Sequence, residues 1–426
     1  MSKLLHVAFV WHIHQPYYKD NLTKEISMPW VRLHAIKDYL DMAEILDAFP
    51  SIHQTFNLVP SLIDQIEDYT KKNNQTDTFL ELSRKKASGL DDNDKDFILL
   101  NFFMANWKNM VRVYPRYNDL LHKRGRTIDS SMLEVRRKRF STQDFLDLQV
   151  WFNLVWFDPI FTAKDHVLKE LVKKGQYYTE EDKTIVLNKQ LDIMAKILPK
   201  YKKLQGTGRI EVTVSPYYHP ILPLLCDIKA AKESSADTIL PNVNFSHPED
   251  ASYQIKESVR RYVEVFGMPP RGMWPPEGAV SESIVPLLQE SGIEWIAADE
   301  SILFKSLNKQ RDGKLLYKPY VIERGGKKLS IIFRDHNLSD MIGFAYSMWR
   351  GDEAAADLIK RLHGIRNSIL KEEGEFLVTI LLDGENAWEY YSEDGRDFLT
   401  NLYRNLEGDP KLKTVTVSDF LKGYPD

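Results

Sequence analysis

A single cysteine in 426 residues, Cys226, rules out an intrachain disulfide and leaves the fold to packing and hydrogen bonding. Its stretch, Pro223-Leu224-Leu225-Cys226, is apolar, so the thiol reads as a small buried hydrophobe. This cysteine usage fits a reducing, cytoplasmic setting, and a disulfide-free secreted enzyme would look the same. No apolar run approaches the roughly 20 residues of a membrane span. The N-terminal run 4–11 is short, contains His6 and lacks the small-residue cleavage site of a signal peptide. Charge of one sign is also missing. The net charge is −4 and the basic residues are scattered, so neither a nucleic acid nor a membrane surface is an expected partner. Repeats, low-complexity tracts and a Gly/Ser/Pro-rich linker are absent.

What is abundant is aromatic. Nine Trp and twenty Tyr serve first as core, and some rings are available to stack on the apolar faces of sugars. The length suits one large barrel or two to three ordinary domains. Residues 7–11 read as a buried strand, 30–49 as an amphipathic helix closed by Pro50, 52–58 as a strand and 60–69 as a helix. This start predicts a parallel sheet covered by helices. From 77 to 204 the pattern turns helical, with aromatic clusters such as Trp151-Phe152-Asn153-Leu154-Val155-Trp156-Phe157, and reads as an insertion in a single catalytic barrel. Alternation then resumes. Strands are predicted at 210–214, 272–274, 295–297, 329–333, 377–382 and 414–417, which gives seven or eight in all.

Polar residues gather at the C-terminal ends of these strands, where barrel enzymes carry their chemistry. Trp11-His12-Ile13-His14-Gln15-Pro16 ends the first strand, and alternation lets His12 and His14 point the same way. The pair suits metal ligation or hydrogen bonds to sugar hydroxyls; without further Cys or His spacing, no metal is expected. In Gly272-Met273-Trp274-Pro275-Pro276-Glu277-Gly278, two prolines and a glycine hold the Glu277 carboxylate in a rigid turn, as a nucleophile requires. Asp383 follows the apolar run 376–382, and Glu385 lies two residues on. Either can serve as a general acid whose pKa is raised by desolvation, and spacing leaves the choice open. Glu211, inside the strand Ile210-Glu211-Val212-Thr213, must be paired or functional in a buried parallel strand, and a histidine of the site is its expected partner.

Taken together, these motifs resemble glycoside hydrolase family 57, especially its amylopullulanase-like members. His12-Ile13-His14-Gln15-Pro16 resembles the family's first conserved region. Gly208-Arg209-Ile210-Glu211-Val212-Thr213, with Pro216-Tyr217-Tyr218-His219-Pro220, resembles the second. The Glu277 motif resembles the third, and Leu382-Asp383-Gly384-Glu385-Asn386-Ala387-Trp388 the fourth. The resemblance implies a (β/α)7 barrel, no cofactor or catalytic metal, and a retaining mechanism on the α-glycosidic bonds of α-glucans or malto-oligosaccharides. By the same resemblance Glu277 is the nucleophile and Asp383 the acid/base. His12, His14 and His219 hold the sugar, with Trp274, Arg334 and Asp340 as further substrate-binding positions; Glu211 joins them through its expected histidine pairing. A 4-α-glucanotransferase would use the same residues. A metal-dependent, deacetylase-like hydrolase and a catalytically silent carbohydrate binder are the readings from other classes.

Overall fold

Nine strands form one sheet in the computed structural model, which describes residues 4–71, 75–385 and 387–423. They are β1 (Leu5–Ile13), β2 (Gln54–Leu58), β3 (Ile210–Thr213), β4 (Gly272–Met273), β5 (Trp295–Asp299), β6 (Tyr320–Arg324), β7 (Lys327–Arg334), β8 (Leu377–Asp383) and β9 (Leu412–Thr414). The order β3-β2-β1-β8-β7-β5-β4 is parallel throughout. The ring closes between β3 and β4 by a parallel bridge from Val214 to Met273, with Trp274 N donating to Val214 O at 2.9 Å. This is the expected (β/α)7 barrel. β1 reads as a nearly unbroken apolar run because both its faces are covered.

Two strands lie outside the ring. β9 pairs with residues 5–7 of β1, before β2 joins the same edge, so the last predicted strand is an extension of the sheet. Val417, predicted to end that strand, opens the helix Val417–Gly423 instead. β6 was not predicted. It forms an antiparallel hairpin with β7 across Gly325-Gly326, both with positive φ, a turn that glycine adopts without strain. The helix expected at 30–49 is broken into shorter pieces, with a π-helical turn at Ala35–Tyr39.

Between β2 and β3 the described residues of 60–206 hold helices and no strand. Buried Arg32 ties this segment to the barrel, donating to Asp77, Asn153 and Gln190. Inside the barrel, Ala8, Val10, Ala297, Ile332 and Leu377 pack around Trp295, and Val417 and Phe420 join this cluster from the C-terminal helix. Trp295 fits because its neighbour Gly272 has no side chain: a Cβ there would lie 2.1 Å from the indole. Gly272→Ala is therefore expected to lower stability by about 2 kcal/mol or more through overpacking. Thermal or urea unfolding measures this, and an unchanged midpoint would contradict the packing described.

Candidate active site

Register decides what the barrel mouth offers. His12 of β1 lies beside Asn57 of β2 and Asp383 of β8, and Asn57 beside Thr213 of β3, all at strand C-termini. The His12 ring nitrogen Nδ1 lies 2.6 Å from Asn57 Oδ1, Asn57 Nδ2 donates to Thr213 Oγ1, and Ser215 Oγ lies 3.0 Å from Asn57 Oδ1 and donates to Trp274 O. With the Asn57 oxygen turned to the ring, the His12 proton sits on Nδ1 and Nε2 is left as an acceptor.

Above this layer three imidazoles stack. His219 lies 4.9 Å from His12 and 4.1 Å from His14, centre to centre. Burial lowers the pKa of all three. His14 falls to about 4, with the neighbouring His12 adding to the effect, and His219 to about 2. For His12, burial outweighs the opposing pull of Asp383, Asn57 and Glu277. Both carboxylates thus act on one imidazole, and at neutral pH the rings are uncharged. Their ligand atoms lie within 4.8 Å of one another, close enough to hold a divalent metal.

Glu277 sits in the turn after β4 with φ +58, and His219 has φ +59. Non-glycine residues in the left-handed region cost of order 1 kcal/mol or more, and such strain concentrates at functional sites. Gly278 follows with φ +65 against the Trp274 ring. After β5 and β7 the wall is ionic. Arg334 donates to Asp340 at 2.9 Å, and His336 bridges Asp299 (3.1 Å) and Asp340 (2.9 Å). Burial pushes the Asp299 carboxyl up, but hydrogen bonds from Ser301 and His336 and the Arg334 charge outweigh it and hold it below its ordinary range.

All the sequence-predicted site residues except Glu211 line one cavity of about 820 Å³: His12, His14, His219, Trp274, Glu277, Arg334, Asp340 and Asp383. Glu211 needs correction. It is two residues before Thr213, so its side chain lies a layer deeper in the barrel. It accepts from Ser418 N, Ser418 Oγ and the Trp295 indole, not from a histidine. Burial raises its pKa against those hydrogen bonds. The two carboxyls of the last motif also separate. Glu385 is 2% exposed, and its Oε1 accepts from His14 N and Gln15, whereas Asp383 is exposed to the cavity. Burial, reinforced by the Asp383 charge, holds the Glu385 carboxyl well above its ordinary range. Asn386 of the same motif lies outside the described residues.

The family model for glycosyl hydrolase family 57 matches residues 8–426. The chain belongs to that family. Relatives include an α-amylase of Pyrococcus horikoshii, 25% identical over 229 residues, 52% of this chain and 30% of that protein. A 4-α-glucanotransferase of Thermococcus litoralis is 22% identical over 230 residues, 52% of this chain and 29% of that protein. The matched stretch thus spans less than a third of those relatives. Among solved structures, the GH57-type branching enzyme from P. horikoshii aligns with a TM-score of 0.59 at 17% identity, over 99% of this chain and 71% of that one. The α-amylase AmyC from Thermotoga maritima aligns at 0.57 and 14%, over 98% and 74%.

The cavity lining adds Phe344 and Tyr390, which motif reading left out, and it includes Glu385 as a buried group and Asp299. Asn57, behind the histidines, was legible in the polar alternation of Gln54-Thr55-Phe56-Asn57 within a buried strand. No described helix is long and apolar enough to cross a membrane.

The histidines also set a pH dependence. In the unfolded chain they titrate near 6.5, and in the folded chain at lower pH. Between those values the unfolded state binds more protons, so stability rises with pH. The melting temperature is expected to fall as pH drops from 7 towards 4, and His14→Gln with His219→Gln to flatten that slope. Calorimetry across this range checks it; an unchanged slope in the double variant would contradict burial of neutral rings.

Proposed function

We propose that this chain cleaves the α-1,4 bonds of α-glucans, and α-1,6 bonds at branches, by double displacement with retention. The observation that supports this most is Glu277 and Asp383, offered from the ends of β4 and β8, lining one cavity with three uncharged imidazoles. Asp383, protonated, gives its proton to the leaving glycosidic oxygen while Glu277 attacks the anomeric carbon. A glycosyl ester on Glu277 results. Asp383, now a carboxylate, takes a proton from water as the water displaces Glu277. His12 Nε2, held bare by the Asn57 bond, accepts from a sugar hydroxyl. Glu385, buried and tied to the His14 backbone, stays out of the exchange. Retention requires the two carboxyl groups about 5–5.5 Å apart.

Glu277→Gln and Asp383→Asn are each expected to reduce kcat/KM on maltoheptaose roughly a thousandfold or more, with unchanged melting temperature. Near-normal activity in both variants would refute the assignment. Relatives include both α-amylases and 4-α-glucanotransferases, which differ in whether water or a sugar hydroxyl takes the second step. Chain-length analysis of maltoheptaose products separates them. Only shorter chains with rising reducing ends mean hydrolysis; longer chains at constant reducing ends mean transfer.

A second reading has one observation in its favour. The histidine trio has metal-ligand spacing, and His219 Nε2 has no partner among the described residues. Zinc there would supply a Lewis acid. Full activity on α-glucans after chelator treatment, with no stoichiometric zinc, is the outcome expected of the glycosidase; zinc-restored activity would replace it with the metal reading.

A further inference from the structure

A second cavity, of about 450 Å³, shares Tyr390 with the catalytic cleft. Its walls are Trp30, Trp156 and His34, with Asn106 and Glu389 as polar groups. The two indoles lie 5.9 Å apart, centre to centre, and tilted by 57°. His34 meets Trp156 edge-on at 5.4 Å.

Three features distinguish this hollow from ordinary surface. Tyr390 is 57% exposed, a large ring kept in solvent where the two cavities meet. Its turn is clamped by Asn109, whose side-chain amide donates to Glu389 O and Tyr391 O from the helical segment between β2 and β3. Trp156 is 2% exposed and backs Trp30, so the ring surface open to a ligand belongs to Trp30 and Tyr390. The polar groups are also committed in a way that leaves acceptors and donors for a ligand. His34 Nδ1 is bonded to buried Asp38 at 2.5 Å, which leaves Nε2. Gln15 links the two cavities, donating to Glu385 on the catalytic side and accepting from Tyr18 on the other.

Flat apolar faces ringed by hydroxyl-binding groups are what a pyranose ring requires: its C–H faces stack on aromatic rings and its hydroxyls bond at the edge. We infer that this second cavity is a remote glucan subsite, taking sugar units of a substrate chain that runs past Tyr390 from the bond being cut. The inference rests on the α-glucan reading above. It makes the segment between β2 and β3 part of substrate recognition, because Asn106 and Trp156 come from there. It also predicts a length preference, since a short oligosaccharide fills the catalytic cleft without reaching Trp30.

The test compares maltotriose with maltoheptaose for the unaltered chain, Trp30→Ala, Trp30→Phe and Glu389→Ala. For Trp30→Ala the KM for maltoheptaose is expected to rise about tenfold, with kcat and the kinetics on maltotriose unchanged within twofold. Trp30→Phe should restore most of the loss, and Glu389→Ala should show a smaller shift of the same kind. Equal effects of Trp30→Ala on both substrates, or none on either, would overturn the subsite. Failure of the unaltered chain to turn over either sugar would refute the catalytic reading instead. Calorimetric binding of maltoheptaose then decides the subsite alone: weaker binding to Trp30→Ala supports it, and equal binding removes it.

Discussion

Asn57 meets His12 Nδ1 and Ser215 Oγ with its oxygen and donates to Thr213 with its nitrogen. Ser215 passes the link on to the Trp274 carbonyl. One buried amide therefore ties together the ends of β1, β2, β3 and β4. The groups on this side of the mouth are joined through these bonds: His12 of β1, the strained loop bearing His219 and the turn bearing Glu277. A buried polar network of this kind is stable only when each member is satisfied, and the satisfied state allows a single arrangement. It also fixes chemistry, because the His12 tautomer follows from the orientation of the amide.

The mouth has two electrostatic halves. On the β1–β3 side the groups are uncharged imidazoles, desolvated and close to one another. On the β5–β7 side Asp299, Arg334, His336 and Asp340 form a connected ionic wall. The carboxyls proposed to react come from β4 and β8, each adjacent in the ring to both halves. A neutral sugar loses little by meeting neutral histidines, while carboxylates keep their reactivity in a site where few cations compete for them. Left-handed backbone at Glu277 and His219 fits the same picture, since the surrounding ring of hydrogen bonds can hold strained residues that an isolated loop would relax.

Much of this was legible from the chain. Strand-end polarity located His12, His14, Glu277, Arg334 and Asp383 because the parallel barrel puts every strand C-terminus at one end, so a one-dimensional position becomes a three-dimensional neighbourhood. Glu211 misled because alternation gives a residue's face but not its depth: it points inward like Thr213, one layer too low. The hairpin of β6 was missed although Gly325-Gly326 announces the turn, because its strand is mostly exposed and lacks an apolar run. Asp383 and Glu385 differ in burial, one exposed to the cavity and the other buried, which spacing does not carry. The second aromatic cavity was out of reach in principle, for Trp30, Trp156 and Tyr390 are far apart in sequence and meet only through the packing of a helical segment on the barrel.

Double displacement with retention requires a covalent sugar at Glu277. The direct measurement is to incubate the protein with a fluorinated α-glucosyl donor that forms the ester quickly and releases it slowly, then digest and locate the label by mass spectrometry. The account predicts one glucosyl unit on the peptide that contains Glu277, and none in Glu277→Gln. A label on Asp383 or Glu385, or steady turnover with no labelled peptide, would contradict it.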